Sequence, residues 1–287
     1  MNLTDRIASV TGAEVLRLVP AGGGSIAAAY RAEMCSGPAL FVKTGAQHAG
    51  MFTAEAEGLR ALAYTGEIRI PAVRHADEHL LVLELLPVTR PAGRARFFRE
   101  FGARLARLHR HTAPSFGFPH DNFIGSTPQR NTVRSADWRS FYWEHRMLFQ
   151  FRLAEKNRLA GPELAAAFHE LERHLPSLIP SDGEPPALIH GDLWSGNYLC
   201  CEGDVPALID PAAYYGHREA ELGMTVLFGG FDAAFYEGYD EAYPLQKGWR
   251  ERLDVYTLYH LLNHLNLFGA GYAGQVMENL RLLLRRR

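Results

Sequence analysis

Apolar residues recur along this chain with two different periods, and the change of period splits it into two unequal parts. Up to about residue 86, short apolar runs alternate with glycine-rich and charged breaks, the signature of strands joined by turns. Glu14–Leu18 and Ile26–Ala32 read as strands on either side of Pro20-Ala-Gly-Gly-Gly-Ser25. Ala39–Lys43, Ile68–Pro71 and Leu80–Leu86 supply three more. Two stretches in this part have helical spacing: Asn2–Thr11, through Leu3, Ile7 and Val10, and Phe52–Tyr64, through Phe52, Leu59 and Leu62. Leu80–Leu86 is apolar enough to be packed on both faces. Glu84 inside it must end the strand at a crossover or be paired, because an unpaired buried carboxylate is costly.

Pro87–Gly93, PVTRPAG, is the boundary, and beyond it the helical period dominates. Arg96–His111 carries the stripe Phe97, Phe101, Leu105 and Leu108, and helices are expected over about 137–158, 162–175, 218–228, 248–268 and 272–284. Pro162 sits where a first helical turn tolerates it. Residues 120–131, HDNFIGSTPQRN, read as a polar and aromatic loop. Two short strands interrupt the helices, Ala187–His190 and Ala207–Ile209. The expected class is α+β: a small antiparallel sheet with helix over 1–86, and a larger, mainly helical lobe over 87–287.

Composition narrows the function. With 287 residues and 47% hydrophobic positions the chain can bury a large core. A net charge of −2 predicts no general attraction to nucleic acid or to a membrane surface, and Arg285–Arg287 reads as a solvated end. Cys35, Cys200 and Cys201 form no disulfide framework. The first residues lack a secretory pattern and no run approaches the ~18 apolar residues of a membrane span, so a cytoplasmic location is expected.

The chemistry concentrates in Leu188–Asn197, LIHGDLWSGN, followed by Asp210 in ALIDPA. An aspartate, an asparagine five residues later and a second aspartate at strand ends suit phosphoryl transfer with magnesium. Asp192 would meet the attacking hydroxyl, and Asn197 and Asp210 would hold the metal. His190 reads as a residue that orients the loop, with a catalytic role as the alternative. His260 and His264 lie in an aromatic helix without the glutamate of a metalloprotease motif. The glycines at 22–24 with Ser25 are either a tight hairpin or a lid whose backbone approaches phosphates. They are not a P-loop, since no Lys-Ser/Thr follows. Lys43, about twenty residues on, is placed to reach the same phosphates, as in the kinase arrangement. Glu55, rather than Glu57, faces inward as its partner. Glu84, Leu85 and Leu86 form a hinge whose backbone can read an adenine edge. After Asp210 a helix begins at about His217, leaving no room for a peptide-docking activation segment, so a small acceptor is expected.

HGDLWSGN, IDPAAYYGHREAELGMTVLFGGF and YTLYHLLNHLNLFGAGY together resemble the fructosamine/ketosamine kinase family, a branch of the aminoglycoside phosphotransferase group. The likeness extends to the glycine loop, Lys43, MFTAEAEGL and DNFIGSTPQRN, and so covers nearly the whole chain. It implies a two-lobed protein-kinase-like fold and ATP-dependent phosphorylation of the 3-hydroxyl of a ketosamine, free or on a glycated lysine of a protein; a monomer is expected. The cofactors implied are ATP and Mg2+. Carried over by position, Asp192 is the base or hydroxyl-orienting group, and Asn197 and Asp210 bind magnesium. Lys43 meets the phosphates and is held by Glu55, and Gly22, Gly23, Gly24 and Ser25 cover them. Trp194 forms a wall for the sugar or braces the loop, and His217 and Glu221 lie on the substrate. Many relatives carry a cysteine where this chain has Ser25, so a disulfide-bridged dimer through that loop is not expected. DPA in place of DFG implies no mobile phenylalanine. Two other readings stay open. One is another small-molecule kinase, with Glu219, Glu221, Asp232, Glu237, Asp240 and Glu241 facing a polycation or serving as helix surface. The other is a nucleotide-binding pseudokinase scaffold.

Overall fold

The computed structural model describes residues 2–22, 27–179 and 183–286. Helix α1 (Leu3–Thr11) is capped by the Asn2 side chain, which accepts from the Asp5 N–H at 2.8 Å, and it stops at Gly12 in the left-handed region. The sheet comprises β1 (Val15–Ala21), β2 (Ala28–Met34), β3 (Leu40–Thr44), β4 (Val73–Ala76) and β5 (Leu80–Glu84). It is antiparallel throughout, in the order β1-β2-β3-β5-β4.

The period of two assigns its faces. Leu40 and Val42 of β3, with Leu80 and Val82 of β5, pack with Ala32 and Ile7 of α1 into a small core. The alternate residues Leu81 and Leu83 join the main core on the other face, together with Phe52, Ala56, Leu59 and Leu62 of helix α2 (Met51–Tyr64). β5 is therefore packed on both faces, as its composition demands. Lys43, between Val42 and Thr44, is on the α2 side, and that places its ammonium in the cleft. The expected strand at Ile68–Pro71 is corrected: the fourth strand is β4, further along at Val73–Ala76. Ile68 and Ile70 are buried beside a single bridge from Arg69 to Ala207, and the Arg69 carbonyl accepts from Leu208 N–H at 2.9 Å.

The second lobe begins with α3 (Arg94–Leu108), whose apolar stripe is wholly buried, and a short hairpin of β6 (Asn122–Ile124) and β7 (Thr127–Gln129) where a loop was expected. A single expected helix is three pieces: α4 (Trp138–Tyr142), a π-helical turn over Trp143–Met147, and α5 (Leu148–Lys156). α6 (Pro162–Leu178) follows. Four short strands then form two pairs: β8 (Ala187–Ile189) with β11 (Tyr214–Gly216), and β9 (Tyr198–Cys201) with β10 (Val205–Leu208). α7 (Arg218–Leu227), α8 (Ala233–Ala242), α9 (Trp249–Phe268) and α10 (Ala273–Arg285) complete the lobe. α8 was not expected. Gly102 of α3 and Gly238 of α8 let these helices touch: a β-carbon at Gly102 would strike the Phe235 carbonyl, and one at Gly238 the Arg99 carbonyl. Cys200 and Cys201 are buried free thiols and Cys35 is exposed. Among the described residues, no helix is long and apolar enough to cross a membrane.

Candidate active site

The hairpin β9–β10 builds the centre. Tyr198 pairs with Leu208, so Asn197 precedes one strand and Asp210 follows the other, and the Ile209 N–H donates to the Asn197 carbonyl at 3.1 Å. Between Asp192 and Asn197 the chain makes two turns: Trp194 N–H donates to Asp192 O at 3.2 Å and Asn197 N–H to Trp194 O at 3.0 Å. The Asn197 side chain closes the loop, its amide donating to the Asp192 carbonyl at 2.8 Å and to the Asp192 carboxylate at 3.3 Å. The spacing of five is thus the reach of one asparagine across a tight loop. Gly191, at φ +83°, lies against the Ala212 carbonyl where any β-carbon would collide, so the loop bearing Asp192 and the turn bearing Asp210 are in backbone contact.

His190 orients this loop, as its position in HGD suggested. Its Nε2 lies 2.8 Å from the Ile209 carbonyl, and its Nδ1 accepts from the Asp192 N–H at 3.3 Å, which makes Nε2 the protonated nitrogen. Burial lowers its pKa and keeps it neutral. Asp192 is different: burial first, then the Glu221 and Asp210 charges, push its carboxyl up to about 7.

Lys43 joins the two lobes. Its Nζ is 2.7 Å from Glu55 and 2.8 Å from Asp210. Burial opposes its charge, but the two carboxylates outweigh that and raise its pKa above the ordinary lysine value. Glu57 points away and lies 3.7 Å from His120. Gly22, Lys43, Glu55, Glu84, Leu85, Leu86, Asp192, Trp194, Asn197 and Asp210 all line one cleft of about 510 Å³. Gly23, Gly24 and Ser25 lie outside the described residues. Glu84 resolves both alternatives at once: it is the last residue of β5, and its carboxylate is paired with Arg69 and accepts the Ala72 N–H at 3.1 Å.

The two positions expected to hold magnesium fit a hard cation in one respect. Asn197 and Asp210 offer oxygen donors at the floor of the cleft, and Asp210 has its side chain 39% exposed there with a lysine already drawn to it. No cluster of three or more His, Cys, Asp or Glu ligands exists among the described residues. An ion held by so few protein oxygens would need phosphates and water to complete its shell, which is how magnesium is usually bound.

Two substrate positions are corrected. His217 is 2% exposed and caps α7, its Nδ1 accepting from the Glu219 N–H at 3.2 Å. Glu221 is 1% exposed, and its carboxylate accepts from the backbone N–H groups of His190 and Gly191. Both face the interior of the second lobe, and neither lines the cleft. Sequence reasoning also missed other residues that line the cleft: Met224, Asn263, His264, Leu267 and Phe268. Phe228 stands edge-on to Trp194 at 6.2 Å and tilted to His264 at 4.8 Å. The aromatic spacing of YHLLNHLNLF was the available signal, and it read as core. Asn122, Phe123 and Gly125 of the β6–β7 hairpin line the cleft as well.

The fructosamine kinase family model matches residues 3–286. The chain belongs to that family. It is therefore a phosphotransferase that acts on a hydroxyl group, and its two-lobed fold is shared with aminoglycoside phosphotransferases. The "probable ketoamine kinase" of Synechocystis is 43% identical to this kinase, over 85% of this chain and 83% of that protein. The chloroplastic protein-ribulosamine 3-kinase of Arabidopsis thaliana is 38% identical, over 92% and 82%. A crystal structure of a candidate fructosamine-3-kinase from Thermobifida fusca superposes with a TM-score of 0.88 at 37% identity, covering 99% of each chain.

Proposed function

We propose that this kinase transfers the γ-phosphoryl group of ATP, bound with magnesium, to the 3-hydroxyl of a ketosamine: a ribulosamine, erythrulosamine or fructosamine adduct of an amine or a lysine. The phosphorylated adduct then releases its amine, so the activity is one of deglycation. The observation that carries the acceptor class is Trp194. Its indole lies over Gly196, where a β-carbon would strike the ring, and it is 37% exposed in the cleft two residues beyond Asp192. An indole face suits the C–H side of a sugar, and the ribulosamine and ketoamine kinases among the relatives support that choice.

In this reading Asp192 accepts the proton of the attacking hydroxyl while the new O–P bond forms and the bond from the γ-phosphorus to ADP breaks. A pKa near 7 suits a group that takes up a proton and returns it. Lys43, fixed by Glu55, leaves Asp210 for the phosphates when the nucleotide enters. Asn197 and Asp210 would hold the magnesium, which supplies charge neutralisation on the phosphates. The backbone at 84–86 receives the adenine. The enzyme is taken to act as a monomer, a reading that elution as a dimer in size-exclusion chromatography would overturn.

The polycation alternative loses its footing because its six acids are engaged elsewhere. Glu219 is bidentate on Arg252, Glu237 and Glu241 share Arg99, and Asp232 caps α8 beside Arg94. Asp240 accepts from the Leu245 N–H, and Glu221 is buried. The deciding measurement is ADP release with a panel of ribulosamine, erythrulosamine, fructosamine and a polycationic aminoglycoside at equal concentration, with 31P NMR on the product. Turnover of a ketosamine with phosphate on the 3-oxygen is expected. Preference for the aminoglycoside, or no turnover of any acceptor above background, overturns the reading.

A further inference from the structure

We propose that the β6–β7 hairpin is a positioning clamp for the turn that carries Asp210, with Gln129 and Asn122 as its working residues. This rests on the reading of Asp210 as a metal ligand. Gln129 Nε2 donates to the Ala212 carbonyl at 3.1 Å, and Asn122 Nδ2 donates to the Ala213 carbonyl at 2.9 Å. These are the second and third residues after Asp210. The Ala212 N–H, on the opposite side, donates to the His190 carbonyl at 2.9 Å, so the turn is gripped from both sides. Asp210 itself sits at φ +56°, a left-handed conformation that a non-glycine residue keeps only where its surroundings impose it.

The grip is directional because every amide in it is committed at both ends. Gln129 also donates to Asn122 Oδ1 at 2.9 Å, and Asn131 donates to the same oxygen at 2.7 Å. The Tyr259 hydroxyl, from α9, donates to Gln129 Oε1 at 2.7 Å. Arg146, in the π-helical turn, donates to Asn131 Oδ1 and to the Arg130 carbonyl, with its guanidinium 4.1 Å above the Tyr214 ring. Gln129, Asn131 and Arg146 are at most 2% exposed; the amides of the network are all paired, although the Arg146 Nε has no partner among the described residues, and buried amides so paired are specific about orientation. Helix α2 rests on the same turn: a β-carbon at Gly58 would press on Pro211 and Ala213 at 3.3–3.4 Å. The hairpin thus fixes, through four consecutive residues, both Asp210 and the seat of the helix that carries Glu55. The chain has no long segment after Asp210 that could move, and the clamp is what holds the turn instead.

The test is the ATP dissociation constant by titration calorimetry, with magnesium and with EDTA, in the full chain. Gln129→Met keeps the volume and removes all three hydrogen bonds. It should weaken the magnesium-dependent gain in ATP affinity about tenfold, the lower end expected for a group that orients a metal ligand. Binding in EDTA should stay within about twofold of wild type, as no direct nucleotide contact is lost. Tyr259→Phe, a smaller change that removes only the hydroxyl orienting Gln129, should lose about threefold on the same principle. Leu283→Ala, on α10 and remote from the turn, destabilises the fold and should leave the gain unchanged. An unchanged gain in both Gln129→Met and Tyr259→Phe, or an equal loss in Leu283→Ala, overturns the clamp. A wild-type protein whose ATP affinity is indifferent to magnesium overturns the role of Asp210, and the proposal with it.

Discussion

Two groups of buried charge sit within the second lobe and its border with the first, and they differ in what is left open. Lys43, Glu55 and Asp210 form one, with Asp210 39% exposed toward the cleft. Arg218 with Glu184, and Arg252 with Glu219, form the other, each pair bidentate, with carboxylates at most 7% exposed. Arg218 also donates to the carbonyls of Tyr243 and Pro244 and lies 3.8 Å above the Tyr243 ring. In the second group no partner remains to be exchanged, and such pairs specify a fold more than they stabilise it. In the first group a lysine is shared by two carboxylates, and an incoming phosphate and metal can redistribute the contacts. Burial alone therefore does not mark a site; an exchangeable partner facing a cleft does.

Asp192→Asn tests this contrast most severely. In the proposed reaction Asp192 accepts the proton, a role that accounts for about 10²–10⁴ of the rate, so kcat for a ketosamine should fall by at least about a hundredfold. Stability should move the other way. The folded pKa of about 7 lies above the unfolded carboxylate value, so the favourable contribution is complete below the unfolded pKa and is lost as pH rises through 7. At pH 8 without metal, Asp192→Asn should therefore raise Tm, by about 2–4 °C if the partly solvated charge costs about 1 kcal/mol. A variant that keeps wild-type turnover, or melts lower at pH 8, would erase the distinction between a functional and a structural carboxylate.

Glu221→Ala is the converse. It leaves the His190 and Gly191 N–H groups unpaired in the interior, at about 1–3 kcal/mol each, so the melting temperature should drop by roughly 5 °C or more. Activity should fall as well, because the loop of Asp192 loses its anchor. A Glu221→Ala protein with wild-type Tm and a raised ketosamine KM would restore Glu221 to the substrate.

Lys43, Glu55, Asp192, Asn197 and Asp210 share one cleft while Glu221 and His217 lie outside it, and which of these positions could be read from the sequence is a matter of what spacing encodes. Lys43 alternates with apolar Val42 in a strand, so its face follows from period two, and Glu55 follows from the helical stripe beside it. α7 is buried nearly all round, from Arg218 to Thr225, and a helix without a wet face gives no orientation to read. α8 was hidden for another reason: it has a wet face at Glu237, Asp240 and Glu241, but its Gly238, which marks a close helix contact, reads as a breaker. The three-residue strands of the β6–β7 hairpin and β11 are too short to show a period. Ile68-Arg-Ile alternates like a strand, but alternation reports burial of every second side chain, and the pairing partner there is one bridge to Ala207.

Around Trp194 the charges of the cleft give way to aromatic surface, and the expected effects shrink accordingly. Trp194→Ala should raise the ketosamine KM about tenfold, the loss of a 1–1.5 kcal/mol ring contact, with kcat for ATP-saturated turnover changed less than about threefold. A fall in kcat without a change in KM would make Trp194 a brace for the loop of Asp192 and no part of the sugar site.

The smallest expected effect concerns a histidine that belongs to neither group of charges. His260 is 3% exposed in α9, its Nδ1 has no hydrogen-bond partner among the described residues, and burial together with His264 lowers its pKa to about 3. The unfolded chain binds a proton there near pH 6.5 and the folded chain does not. The stability it permits is therefore complete above pH 6.5 and is lost progressively as the pH falls toward 3. At pH 5.5 the loss is about 1.4 kcal/mol, or about 3 °C of Tm. His260→Leu removes that proton from the balance, so the drop in Tm between pH 8 and pH 5.5 should be about 3 °C smaller than in wild type. Unlike Asp192→Asn, it should leave the pH dependence of turnover in place. Equal slopes in the two proteins would mean that His260 is protonated in the folded state, and that the interior beside the cleft is wetter than its packing indicates.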